Sequence, residues 1–141
     1  MLIDKFSGYY DFLSNKFPCI VELDGVQYTN VVAAYYSAKT TSSDVKRKLQ
    51  RLDPDRAELL GKSLPEPDNW KDIRDDVMYK CLLSKFTLNL DLRAKLKGLS
   101  NVTIVYANDC DTYCGVVNCK GENMLGKLLN RVCIEILTGV V

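Results

Sequence analysis

Sixteen residues, Asn108 to Asn123 (NDCDTYCGVVNCKGEN), gather most of the side chains in this sequence that can do chemistry. The run holds Asp109 and Asp111, three cysteines (Cys110, Cys114, Cys119), three asparagines and two glycines. A carboxylate such as Asp111, or secondarily Asp109, can stabilise developing positive charge or activate water. Cys114 can serve as a thiolate nucleophile if a lysine such as Lys39 or Lys62 lowers its pKa. Each has a plainer use as well: Asp111 can bond neighbouring backbone amides, and Cys114 can fill apolar space. The C-x3-C-x4-C spacing lacks a C-x2-C pair and the chain has no histidine, which argues against zinc. The missing histidine also excludes Ser-His-Asp and Cys-His arrangements. No cofactor is called for.

A loop this long inside a folded chain is uncommon, and it is usually functional or disordered. Its flanks favour function. A strand is expected over Val102 to Ala107, and Met124 to Leu137 repeats apolar residues at 125, 128, 129, 132, 133 and 136, the period of an amphipathic helix.

The remaining elements read as scaffold. Phe6 to Phe17 (FSGYYDFLSNKF) is aromatic-rich and looks irregular. It suits either packing or an aromatic wall, Phe12 within it, for a planar ligand with Asn15 as polar handle. Asp24-Gly25 between two apolar runs predicts a type I′ hairpin. Asn30 caps a helix through Lys39, with Val32, Tyr36 and Lys39 on one face. Lys39 ends that face, where the helix dipole favours a cation. Ser42 or Ser43 caps a short helix to about Leu49, and Asp53-Pro54 opens another that Gly61 should stop, with Lys62 just beyond. Asp68 or Asn69 begins the longest helix, Trp70 to about Phe86, with Lys85 off its apolar stripe. A short helix over Asp91 to Leu96 ends at Gly98. The pattern predicts a single α+β domain over residues 1–141, mainly helical, with a small antiparallel hairpin and one late strand.

Composition narrows the function. The chain has 141 residues, 47% apolar and 26% charged, with a net charge of +1, so no bulk nucleic-acid binding is expected. Met1 to Phe6 is too short and mixed for a signal peptide, and no apolar run approaches the roughly 18 residues of a membrane span. A soluble, cytoplasmic protein with no membrane partner is expected, and Cys81 and Cys133 fall on apolar helix faces as core thiols. Oligomeric state is not legible.

Several short patterns coincide in order. They are YDFLSN (Tyr10 to Asn15), ELDG (Glu22 to Gly25), the helix ending Ser37-Ala38-Lys39, and Leu60-Gly61-Lys62. Trp70, VMYKCLLSKF (Val77 to Phe86), Asp111-x-Tyr113-x-Gly115 and KGENMLGKLL (Lys120 to Leu129) complete the series. Together they resemble the NADAR family, also called YbiA-like, from about Phe6 to Arg131. The resemblance implies a compact, mainly helical α+β fold and an N-glycosidase activity. The bond cut lies between a nitrogen and C1 of a ribose carrying phosphate, in ribosylamino intermediates of riboflavin synthesis or in ADP-ribose attached to a base.

Such cleavage develops positive charge on the ribose, which a carboxylate stabilises, while cationic and amide groups hold phosphate. Against the family pattern, Val32-Ala33 stands where a Glu-His pair is typical, Tyr106 where a second glutamate closes the late strand, and Cys114 where the loop carries tryptophan. Asn15, Lys39, Asp111, Gly115, Gly121 and Asn123 are retained, and Lys62 replaces arginine, keeping charge without the bidentate fork. The resemblance thus implies a ligand cradle of Phe12, Asn15, Val32, Tyr36, Lys39, Lys62, Tyr106, Tyr113, Gly115 and Asn123.

Three functions follow from this pattern. The first is binding of a phosphorylated riboside or an ADP-ribose/NAD-type nucleotide without ordinary hydrolysis, for sensing or sequestration, with Tyr36 and Tyr106 replacing the lost ring. The second is an active N-glycosidase using Asp111 or Cys114. The third is a protein-interaction domain with a vestigial pocket. The lost carboxylates favour the first, because electrostatic stabilisation of this kind is worth roughly 3–4 kcal/mol, or about 10²–10³ in rate.

Overall fold

Six helices and two short ladders form the chain, which the computed structural model describes from Met1 to Val141. The strands are β1 (Leu2–Ile3), β2 (Val21–Leu23), β3 (Val26–Tyr28) and β4 (Thr103–Ile104). The helices are α1 (Val31–Ser37), α2 (Ser43–Arg51), α3 (Pro54–Ser63), α4 (Trp70–Leu88), α5 (Leu90–Lys97) and α6 (Met124–Leu137). The architecture is α+β and mainly helical, as the apolar patterning requires. Contacts group the residues into two compact units, Asn15–Asn89 and the pair of segments Met1–Ser14 and Leu90–Val141.

In the unit Asn15–Asn89, Asp24 (φ 51°) and Gly25 (φ 81°) turn β2 into β3, with Val21 opposite Tyr28 and Leu23 opposite Val26. The Asn30 side chain accepts the Ala33 amide at 2.8 Å and starts α1. Ser42 and Asp53 cap α2 and α3 in the same way. α1 packs on α2, α3 and α4, and α4 packs on β2. Val31, Ala33, Ala34, Leu49, Ala57, Cys81, Leu82 and Phe86 are fully buried. Asn89, just past α4, closes the unit: it accepts the Ile20 amide at 3.1 Å and donates to the Ile20 carbonyl at 2.8 Å.

Two expectations fail in this unit. Gly61 does not stop α3, which continues to Ser63 with Gly61 buried inside it. A Cβ at Gly61 would lie 2.1 Å from Tyr36 Cγ, so glycine is there for close packing rather than for a turn. Lys85 is not off the buried face of α4; it is 0% exposed, its ammonium 5.1 Å from the Phe86 ring and 5.9 Å from the Phe17 ring.

In the other unit, β1 and β4 pair in parallel, Leu2 beside Thr103 and Ile3 beside Ile104. β1 was not legible in the sequence, and the late strand is shorter than the Val102 to Ala107 run. The aromatic stretch near the start is not irregular: Gly8–Leu13 is a 3-10 helix. α6 buries Leu125, Leu128, Leu129, Val132, Cys133 and Ile136, the positions its period marks, and packs on α5 and β4.

Candidate functional site

The long loop is built around Asn108. Its side-chain oxygen accepts the amides of Cys110 and Asp111, and its nitrogen donates to the Asp111 carbonyl at 2.9 Å. Asp111 repeats the device: its Oδ1 accepts the amides of Tyr113 and Cys114, both at 2.9 Å. These are Asx-type turns, in which a short polar side chain replaces a backbone partner. Asn118 and Cys119, with φ of 51° and 64°, make the turn that lets Val117 bridge Lys120. Four successive amides, Glu122 to Leu125, then donate to the carbonyls of Thr112, Gly115, Tyr113 and Cys114 and tie the loop to the start of α6.

Gly115 is buried, and nothing larger fits there: a Cβ would lie 2.0 Å from the Tyr106 carbonyl oxygen. Asn123 joins the end of β4 to the start of α6. Its oxygen accepts the Tyr106 amide at 2.9 Å and its nitrogen donates to the Ile104 carbonyl at 3.0 Å. Its left-handed backbone (φ 52°) is one that asparagine tolerates well. Tyr106 is fixed on its carbonyl side too, where the Val116 amide donates at 2.8 Å. Its ring stacks on Phe6, centroids 5.3 Å apart at 24°. Tyr113 and Cys114 are half-buried, while Cys110 and Cys119 are exposed.

Phe12 corrects the expectation of an aromatic wall. It is 0% exposed, set edge-on to Tyr9 and under the Lys95 ammonium at 5.6 Å, so its ring is core.

The unit Asn15–Asn89 places the other candidates. Val32 is 8% exposed in the first turn of α1. One turn on, Tyr36 packs over Gly61 and sits edge-on to Tyr35, which in turn meets Trp70 at 5.3 Å. Lys39, just past α1, donates to the Gly61 carbonyl at 3.2 Å, with its ammonium 5.2 Å from the Tyr36 ring and 5.6 Å from the Trp70 ring. It is a held cation rather than a solvated helix-end lysine. The Asn15 amide nitrogen meets Met78 Sδ at 3.7 Å, and its oxygen is buried without a hydrogen-bond partner. A buried acceptor left unpaired is costly, so such an atom points to a missing partner.

Lys62, expected just beyond a helix stop, lies in the last turn of α3 and pairs with Glu58 at 2.9 Å. The hydrogen bond from Lys62, supported by Lys16, holds the Glu58 carboxyl below its ordinary value against the opposing effect of burial. No cluster of three or more cysteine, aspartate or glutamate side chains is placed to hold a metal. No helix is long and apolar enough to cross a membrane.

Sequence reasoning included Asn108 in the loop and Phe6 in the aromatic stretch but gave neither a role of its own. A signal existed for Asn108, an asparagine leaving a strand with backbone amides to collect two and three residues on. None existed for Phe6, whose partner is 100 positions away.

Fold and loop together define a mainly helical α+β protein in which an asparagine-pinned loop is fastened between a strand end and a long helix. This chain belongs to the NADAR family, whose domain matches residues 4–137. Among curated relatives it is similar to the N-glycosidase YbiA of Shigella boydii, 30% identical over 125 residues covering 86% of this chain and 78% of that protein. The N-glycosidase YbiA of Escherichia coli K12 is 29% identical over the same coverage. The solved NMR structure of E. coli YbiA superposes with a TM-score of 0.86 at 25% identity, covering 99% of this chain and 86% of that one. These relatives support a nucleoside-related, glycosidase-family function and a small nucleoside-type ligand.

Proposed function

We propose that the chain binds a phosphorylated N-riboside or an ADP-ribose/NAD-type nucleotide and does not carry out ordinary hydrolysis of it, acting as a sensor or store in the cytoplasm. The same reading takes residues 1–141 as one domain, supported by a family match that runs through both compact units. The observation that carries it is the state of the carboxylates. Where the family resemblance implies glutamates, this chain has Val32, buried in α1, and Tyr106, whose backbone is pinned and whose ring is stacked. The surviving carboxylate, Asp111, has one oxygen committed to two backbone amides. The apparatus for holding a ligand is better kept. Within Asn15–Asn89, Lys39 is a fixed cation, Asn15 has a buried oxygen without a hydrogen-bond partner and Tyr36 is an oriented ring; in the other unit, Tyr106 is oriented by its own contacts.

Calorimetric titration with ADP-ribose and NAD tests the reading. Trp70 is the sole tryptophan and lies beside Lys39, so its fluorescence reports the same event from inside the protein. Saturable binding with a matching fluorescence change is expected, and no binding at millimolar ligand overturns the reading.

A second reading, an active glycosidase, draws on Asp111, the carboxylate of the loop, whose Oδ1 is held by two backbone amides. It requires release of free base from a ribosylamino substrate, abolished in Asp111→Asn. Equal turnover in wild type and variant removes Asp111 from it and leaves Cys114.

A further inference from the structure

Two aromatic residues far apart in sequence are brought together by the parallel pair of strands at the edge of the loop. β1 and β4 run side by side, and the Val105 amide donates to the Ile3 carbonyl at 2.9 Å as the ladder ends. Each chain leaves that ladder carrying a ring, Phe6 from one and Tyr106 from the other. The rings lie nearly parallel, centroids 5.3 Å apart and planes inclined by 24°. The ring contacts of Tyr9 with Tyr10 and Phe12, and of Tyr35 with Tyr36 and Trp70, are edge-to-face instead.

The distinction matters for recognition. In an edge-to-face contact the rim of one ring occupies the face of the other, whereas in a parallel pair the ring planes are aligned, the arrangement that a further planar group stacking on Phe6 would extend. Tyr106 is the anchored member. Its amide, its carbonyl and the side of its ring are held by Asn123, Val116 and Gly115 respectively, and a Cβ at Gly115 would lie 2.8 Å from Tyr106 Cδ2. Phe6 is half-buried, and the Tyr106 ring stacks on it. Tyr36, the other candidate for a stacking ring, is occupied differently, lying against Gly61 and the Lys39 ammonium.

We propose that Phe6, stacked on Tyr106, forms a platform for the base of a nucleotide ligand, making Phe6 a specificity-determining residue that separates base-bearing ligands from bare ribose phosphates. This rests on the nucleotide-binding reading above and extends it to one part of the ligand. Stacking of a base on a protein ring changes affinity by about tenfold and tolerates different bases, because every base presents a planar face.

The test compares ADP-ribose with ribose 5-phosphate on wild type, Phe6→Leu and Phe6→Tyr, by calorimetry on the full chain. Phe6→Leu keeps apolar bulk and removes the ring; Phe6→Tyr keeps the ring. The expected result is a roughly tenfold loss of ADP-ribose affinity in Phe6→Leu, with ribose 5-phosphate unchanged and Phe6→Tyr close to wild type. A loss shared equally by both ligands marks Phe6 as merely structural and overturns the inference, as does unchanged ADP-ribose binding in Phe6→Leu. If wild type binds ribose 5-phosphate as tightly as ADP-ribose, the platform is refuted while the ligand site stands. If wild type binds neither, both fall. Matching thermal melts of the three proteins confirm that affinity rather than folding is being compared.

Discussion

Gly61 shows how much one missing carbon decides. Its absent Cβ is what lets Tyr36 lie against α3, and the atoms in the way, Tyr36 Cγ and Cβ at 2.1 and 2.5 Å, are those nearest the backbone and least able to move. Gly61→Ala should therefore lower the unfolding free energy in urea by about 1–3 kcal/mol, the usual cost of overpacking, despite the better helix propensity of alanine. An unchanged or raised midpoint would show that Tyr36 has room to yield. Cys81 supplies a second prediction at this scale. Burial, with Asp24 adding to it, drives its thiol far above the ordinary value. Unfolded, the thiol ionises above about pH 8.5, while in the fold it stays protonated. Above that pH the unfolded state binds fewer protons, so the contribution is fully present below it and declines above it, by up to about 1.4 kcal/mol per pH unit. Urea melts between pH 7 and 10 should fall more steeply for wild type than for Cys81→Ala; parallel slopes would rule the thiol out as the cause.

Among the elements, the weight falls on short polar connectors rather than long ladders. Neither sheet exceeds two strands, and β4 keeps its place partly through side chains: Asn130 accepts the Ile104 amide at 3.1 Å, and Asn123 accepts the Tyr106 amide and donates to the Ile104 carbonyl. Asn123→Ala removes both partners and leaves alanine in a left-handed conformation. A loss of about 2–4 kcal/mol is expected from two unmet backbone groups plus backbone strain, measured by urea denaturation. A loss under about 0.5 kcal/mol would mean that water replaces the side chain and that the loop is not fastened there. The same contrast explains which elements could be read from sequence. α6 was legible because six buried positions follow one period, and the β2–β3 hairpin because Asp24-Gly25 admits few other turns. β1 was not, since two residues carry no period and its partner lies 101 positions away. Gly61 and Lys85 misled for a related reason: a glycine that admits a neighbour's ring looks like one that ends a helix, and a lysine sheltered by Phe17 and Phe86 looks like a solvated one.

At the scale of the whole chain, family membership points to an N-glycosidase, while the loss of acidic positions that the resemblance implies underlies the proposed binding without hydrolysis. The scaffold superposes on YbiA with a TM-score of 0.86, and on the proposed reading Lys39, Asn15 and the loop amides would hold a nucleotide on it. Among the candidate residues, the run Asn108 to Asn123 stood out because its polar and small residues follow no period, and Lys39 because it ends the helical face expected to hold Val32 and Tyr36. Phe12 was misplaced because an aromatic-rich segment does not reveal which ring faces inward. The separation of holding from cutting is open to one paired experiment on a single preparation. ADP-ribose affinity is measured by calorimetry, and release of free base from a ribosylamino 5-phosphate substrate is followed over the same concentration range. The account predicts sub-millimolar binding with base release no faster than in buffer. Turnover above the buffer rate that scales with protein concentration and disappears in Asp111→Asn would contradict it.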